Sequence, residues 1–179
     1  MRLSGWAFEG SVPTASRYVL IAAPHTSNWD FVYMMAMAWA IGIRIHWMGK
    51  ASLFSFPFGP LLRAMGGLPI RRDRPGKLVE QSVEKFSQAT ALVLTVPAEG
   101  TRSKASTWRS GFYHIARLAE VPIVLGYLDY RRKRGGLGPA LYTSGDVRLD
   151  MDRIRAFYAD KTGRHPSKFT TPRLAEEDQ

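Results

Sequence analysis

With 179 residues, 45% of them apolar, the chain can bury one substantial core and has little material for a second, so a single domain is expected. Its 25 Lys and Arg against 15 Asp and Glu give a formal charge of +10, which favours polyanions as partners: nucleic acid, anionic lipid headgroups, or phosphorylated metabolites and carriers. Cysteine is absent, which excludes disulfides, thiolate metal sites and a cysteine nucleophile.

The first ten residues lack the apolar core and cleavage pattern of a secretory signal, so a cytoplasmic location is expected. A first apolar run, 17–23, reads as a buried strand. Residues 31–41 are apolar almost all round and form either a helix buried on several sides or one partly facing lipid, the core being the better-supported place. The longest uncharged run, 31–43, is shorter than the ~20 residues that cross a bilayer. Strands follow at 43–48 and 68–71. Between them, Leu53-Phe54-Ser55-Phe56-Pro57-Phe58-Gly59-Pro60-Leu61-Leu62 is too broken by Pro and Gly to span. Flanked by Lys50 and Arg63, it suits membrane or acyl-chain contact as well as an ordinary loop.

Val79, Val83 and Phe86 recur at helical spacing, as do Phe112, Ile115, Ala116 and Ala119. Strands are expected at 91–96, 122–128 and 140–147. Asp150 and Asp152 ahead of Ile154, Phe157 and Tyr158 mark a last helix. Beyond Gly163 the composition turns polar, and 164–179 is expected to be a loose tail behind a domain of residues 1–163. Strands alternating with helices predict an α/β fold, a mostly parallel central sheet flanked by helices.

Chemistry concentrates first in Pro24-His25-Thr26-Ser27-Asn28-Trp29-Asp30, at the end of the first strand, where α/β folds place their sites. Five residues on a helix turn about 500°, so His25 and Asp30 cannot share one helix face. His25 must therefore lie in the turn, with Ser27 or Asn28 capping a helix and Asp30 in its first turn. A neutral imidazole can take a proton from an alcohol, and a carboxylate on its other nitrogen fixes the tautomer. A His and an Asp five apart also arise easily by chance.

Three later segments bear on this pair. Gly66-Gly67-Leu68-Pro69-Ile70-Arg71-Arg72 ends a strand in adjacent guanidinium groups, able to bind a phosphate bidentately. Val96-Pro97-Ala98-Glu99-Gly100-Thr101-Arg102-Ser103 opens a strand into a glycine turn with a carboxylate and another Arg. Val121-Pro122-Ile123-Val124-Leu125-Gly126 is a buried apolar strand. Singly, each has a bland reading: solvated arginines, a turn, core.

In this order the four blocks resemble the glycerolipid acyltransferase family, the lysophospholipid acyltransferases that include 1-acylglycerol-3-phosphate acyltransferases. The resemblance runs from about residue 18 to 128. It implies a glycerol-3-phosphate acyltransferase-like αβ fold and transfer of a fatty acyl group from acyl-CoA or acyl-carrier protein to a hydroxyl of a lysophospholipid, in phospholipid biosynthesis or remodelling. On the matching positions, it implies that His25 is the base and Asp30 its orienting partner. Arg72, Glu99, Gly100, Thr101 and Arg102 fall in the blocks that hold the acceptor's glycerol phosphate. Val121, Pro122 and Ile123 match the block linked to the acyl donor and its apolar pocket. It implies no cofactor beyond the thioester co-substrate, no metal, and a peripheral place on the inner face of a membrane.

Two departures bear on the acceptor: Pro97-Ala98 stand where the family usually has Phe-Pro, and only about seventeen residues precede the first strand where the family has anchoring helices. A different polar lipid acceptor is the alternative. With no Cys and no Gly-x-Ser-x-Gly turn, direct transfer through a ternary complex is favoured over an acyl-enzyme. A basic nucleic-acid binder is a further reading, on Arg131-Arg132-Lys133-Arg134, but that run precedes Gly135-Gly136 as a hairpin tip would, and no nucleic-acid partner is expected. A nucleotide phosphate loop fails at Gly49-Lys50, because Ala51 follows where Ser or Thr is needed. His25, His46, His114 and His165 have no metal-ligand spacing.

Overall fold

The computed structural model describes residues 5–70 and 77–178. Seven strands form one sheet: β1 (Ala7–Glu9), β2 (Arg17–Ala23), β3 (Ile45–Lys50), β4 (Gly67–Ile70), β5 (Leu92–Val96), β6 (Ile123–Asp129) and β7 (Arg134–Leu141). Their order is β1-β7-β6-β2-β5-β3-β4. The run β6-β2-β5-β3-β4 is parallel, β7 returns antiparallel to β6, and β1 lies parallel to β7. Five helices flank it: α1 (Trp29–Ala40), α2 (Gly59–Ala64), α3 (Lys77–Gln88), α4 (Gly111–Leu118) and α5 (Val147–Tyr158). None among the described residues is long and apolar enough to cross a membrane.

The alternation of side chains along each central strand sorts the core into two layers. Val19, Ile21, Leu92, Leu94, Ile123 and Leu125 pack on one side with Phe86 of α3, Phe112 and Ile115 of α4, and Met151 and Ile154 of α5. Tyr18, Leu20, Val93 and Val124 point to the other side, against Met35 and Ala38 of α1. That helix stops at Gly42, whose φ of +74° supplies the left-handed residue that lets the Ile43 amide bond back to the Ala38 carbonyl at 2.9 Å.

The expected strand at 140–147 is misplaced: β7 spans Arg134–Leu141, and α5 begins at Val147. The glycines that disguise this strand are demanded by packing. A Cβ on Gly135 would sit 2.2 Å from the Met37 sulfur, and one on Gly136 would sit 2.1 Å from the Glu9 carbonyl oxygen of β1. Arg131 to Lys133 do lie in the β6–β7 turn and Arg134 opens β7, with Arg132 held by Asp129 at 2.6 Å and Arg134 by Glu9 at 3.1 Å. The loose tail does not hold either. Leu174 is fully buried, Thr170 nearly so, and the Trp108 indole N–H donates to the Thr170 carbonyl at 2.8 Å.

Candidate active site

Because β2, β3, β5 and β6 are parallel, their C-terminal ends gather at one edge. There β2 delivers Pro24-His25-Thr26-Ser27 and α1 begins at once. Asp30, buried in the first turn of α1, folds back over this segment. Its Oδ2 accepts the amides of Thr26 and Ser27, both at 2.8 Å, and lies 3.4 Å from His25 Nδ1. Its Oδ1 accepts the Tyr130 hydroxyl at 2.6 Å. Burial acts to raise the Asp30 carboxyl, but the hydrogen bonds from His25, Tyr130 and the Ser27 amide outweigh it and hold the group below the ordinary carboxylate range. Asp30 is thus an ionised anchor that closes the turn and faces the imidazole. Of the two expected caps, Ser27 accepts the Trp29 amide at 3.2 Å, whereas the Asn28 side-chain oxygen accepts from Arg102.

Glu99 sits behind the turn, not in front of it. Only 1% exposed, it accepts the His25 amide at 2.6 Å through one oxygen and the Thr170 amide at 3.2 Å through the other. Burial pushes its carboxyl up to about 7, against those two amides, which favour the charged form. It is not among the residues that line the cavity, and its oxygen braces the His25 backbone. Gly100, with φ at +68°, turns the chain away from this buried carboxylate beside the Arg109 side chain. Thr101 and Arg102 then emerge exposed on the cavity rim.

The cavity measures about 790 Å³ and runs between α1 and the sheet. His25, Asn28, Arg102 and Lys50 mark its polar end; Leu20, Met34, Ala38, Ile41, Ile43 and Leu137 make the interior apolar. Thr95 Oγ1, buried and without a hydrogen-bond partner among the described residues, adds one hydroxyl to that wall. Val121, Pro122 and Ile123 are not part of the cavity. Val121 and Pro122 lead into β6 and Ile123 opens it, pairing with Val19, four residues or roughly 13 Å from the Tyr127–Ala23 pair beside His25. Gly126, Tyr127 and Leu128 furnish the β6 wall instead. Arg72 lies outside the described residues.

A family model described as Acyltransferase matches residues 8–125. The chain belongs to the acyltransferase family. That is the family of 1-acylglycerol-3-phosphate acyltransferases. No curated protein and no solved structure matches it significantly.

Two supports of this acyltransferase's His–Asp turn come from beyond the matched segment. One is Tyr130, the first residue after β6, which reaches Asp30. The other is the strap 162–170: the Tyr130 amide bonds to the Thr162 carbonyl at 2.8 Å, the His165 amide to Thr26 Oγ1 at 3.1 Å, and Thr170 to Glu99. The strap passes so close that a Cβ on Gly163 would lie 2.9 Å from Pro24 and from Thr26. Neither is part of the four sequence blocks. The signal for Tyr130 was available, since a residue directly after a parallel strand shares the edge with His25; the strap has no local signature.

Proposed function

We propose that the protein transfers a fatty acyl group from a thioester donor, acyl-CoA or acyl-carrier protein, to a hydroxyl of a lysophospholipid such as 1-acylglycerol-3-phosphate. The observation that carries this reading is a buried, ionised Asp30 facing His25 at the polar end of an otherwise apolar cavity. With Nδ1 turned to Asp30, Nε2 is the nitrogen left for the acceptor. It takes the hydroxyl proton as the oxygen attacks the thioester carbonyl carbon. The tetrahedral adduct then collapses, the C–S bond breaks, and the imidazolium returns the proton to the departing thiolate. Asp30 keeps the tautomer and steadies the transient cation. The 3.4 Å contact is long, as such contacts commonly are before substrate binds.

The apolar interior gives the fatty chain a place, and Arg102 and Lys50 supply cations for the phosphate groups that acceptor and donor carry. Holding both amphiphiles over one imidazole contributes several kcal/mol through proximity alone. The test is purified protein with 1-acylglycerol-3-phosphate, a panel of other lysolipids and acyl thioesters of several lengths, read by mass spectrometry. A diacyl product is expected, and Arg102→Ala is expected to raise the KM for the phosphate-bearing acceptor with little change in kcat. No acyl transfer to any lysolipid, or an unchanged KM, would contradict the respective assignment.

A further inference from the structure

The loop after β3 shows solvent what folding ordinarily hides: Phe56 is 92% exposed, Phe58 68%, Leu61 59% and Leu53 54%. This exposure is built, not slack. Phe54 of the same loop turns inward, and its ring occupies space left by Gly49 and Gly67, where a Cβ would come within 2.9 and 2.6 Å of it. Arg63 stacks over that ring at 5.5 Å and donates to the Phe54 carbonyl at 3.3 Å. Further on, the Gly59 amide closes on the Ser55 carbonyl at 2.8 Å and the Leu62 amide on the Phe58 carbonyl at 3.0 Å. One ring thus pins the loop while its neighbours are held out.

Along the chain, the charges that flank these side chains have one sign. No acidic residue occurs in the sequence between Asp30 and Asp73, whereas Arg44, Lys50 and Arg63 stand exposed in that stretch. Lys50 and Leu53 also line the cavity, so the patch is continuous with its mouth. A second copy of this chain would bring the same cations and the same +10 charge, which repel. A bilayer with anionic headgroups offers hydrocarbon for the rings and phosphates for the cations at the same depth.

We propose that the 53–61 loop inserts Phe56, Phe58 and Leu61 into the surface of an anionic bilayer, with Lys50 and Arg63 at headgroup level, so that the cavity mouth opens onto lipid. Membrane binding by this loop can be read without any turnover, so it stands or falls apart from the proposed reaction.

The experiment is co-sedimentation of the full chain with phosphatidylcholine vesicles, with and without phosphatidylglycerol, comparing the wild type with Phe56→Ser/Phe58→Ser. Thermal melting and light scattering confirm that each protein is folded and monomeric. The wild type is expected to bind the phosphatidylglycerol vesicles and to release them as salt rises. The double variant is expected to partition at least about tenfold more weakly. Phe56→Ser alone, at the most exposed ring, gives an intermediate loss, which keeps the test alive should the pair disturb folding. Turnover on short-chain substrates below their micellar concentration stays at the wild-type rate. Equal vesicle binding by wild type and variants overturns the proposal. So does failure of the wild type to bind anionic vesicles, or a wild-type dimer that the variants dissociate.

Discussion

On one face of the sheet, three helices close over Val19, Ile21, Leu94 and Leu125, and Phe112, Met151 and Tyr158 are completely buried there. On the other face, among the described residues, α1 lies over Leu20, Ile45 and Val124, and about 790 Å³ remains unfilled beneath it. The alternation along β2, β5 and β6 feeds both faces with equally apolar side chains, so the difference comes from coverage, not from the strands. The closed face supplies packing, and the less covered face supplies room for a ligand next to His25.

Truncation should accordingly cost very different amounts on the two sides. Phe112→Ala leaves a void in the closed layer and should lower the unfolding free energy by about 3–5 kcal/mol, read from denaturant midpoints at constant m. A loss no larger than that of a cavity-lining residue would break the comparison.

Glu99→Gln probes the seam between site and core. A carboxamide can accept only one of the two amides, from His25 and Thr170, that Glu99 satisfies, so kcat should fall several-fold with little change in KM. The variant also removes a titration. Because the folded pKa is about 7 and lies above that of the free side chain, the folded state holds more protons through the interval between them, and Glu99's contribution to stability declines as pH rises toward 7. The stability difference between the Glu99→Gln variant and the wild type should therefore move in favour of the variant from about pH 5 to about pH 7.5. A pH-independent difference would remove Glu99 from that role.

The smallest effect is expected at Met34→Ala, which enlarges a space already present: about 1 kcal/mol of stability or less, by the same denaturant titration.

The elements that could be read from the sequence are those whose local pattern and tertiary role coincide. The run 17–23 is buried on both faces and emerges unchanged as β2, and the spacings of Val79, Val83 and Phe86 and of Phe112, Ile115 and Ala116 mark α3 and α4. β7 escaped because close contacts with Met37, Glu9 and Phe157 require glycine where strand propensity would ask for branched residues. β1, of three residues, is too short to show alternation. At the site, His25 and Asp30 were readable because a turn of known geometry joins them in sequence. The direction Glu99 faces was not legible, since nothing local tells a carboxylate gripping backbone amides from one facing a substrate. Val121 to Ile123 belong to the far end of their strand, a matter of register that only pairing reveals. Tyr130 and the 162–170 strap act across long sequence separations, beyond any periodicity.

The claim on which the rest depends is that His25, oriented by Asp30, is the base at the cavity's polar end. His25→Ala, assayed for acyl transfer to 1-acylglycerol-3-phosphate beside its melting temperature, tests it most directly. Turnover is expected to fall by at least about 10²-fold with a melting temperature close to wild type. A folded His25→Ala protein that transfers acyl groups at the wild-type rate would contradict it.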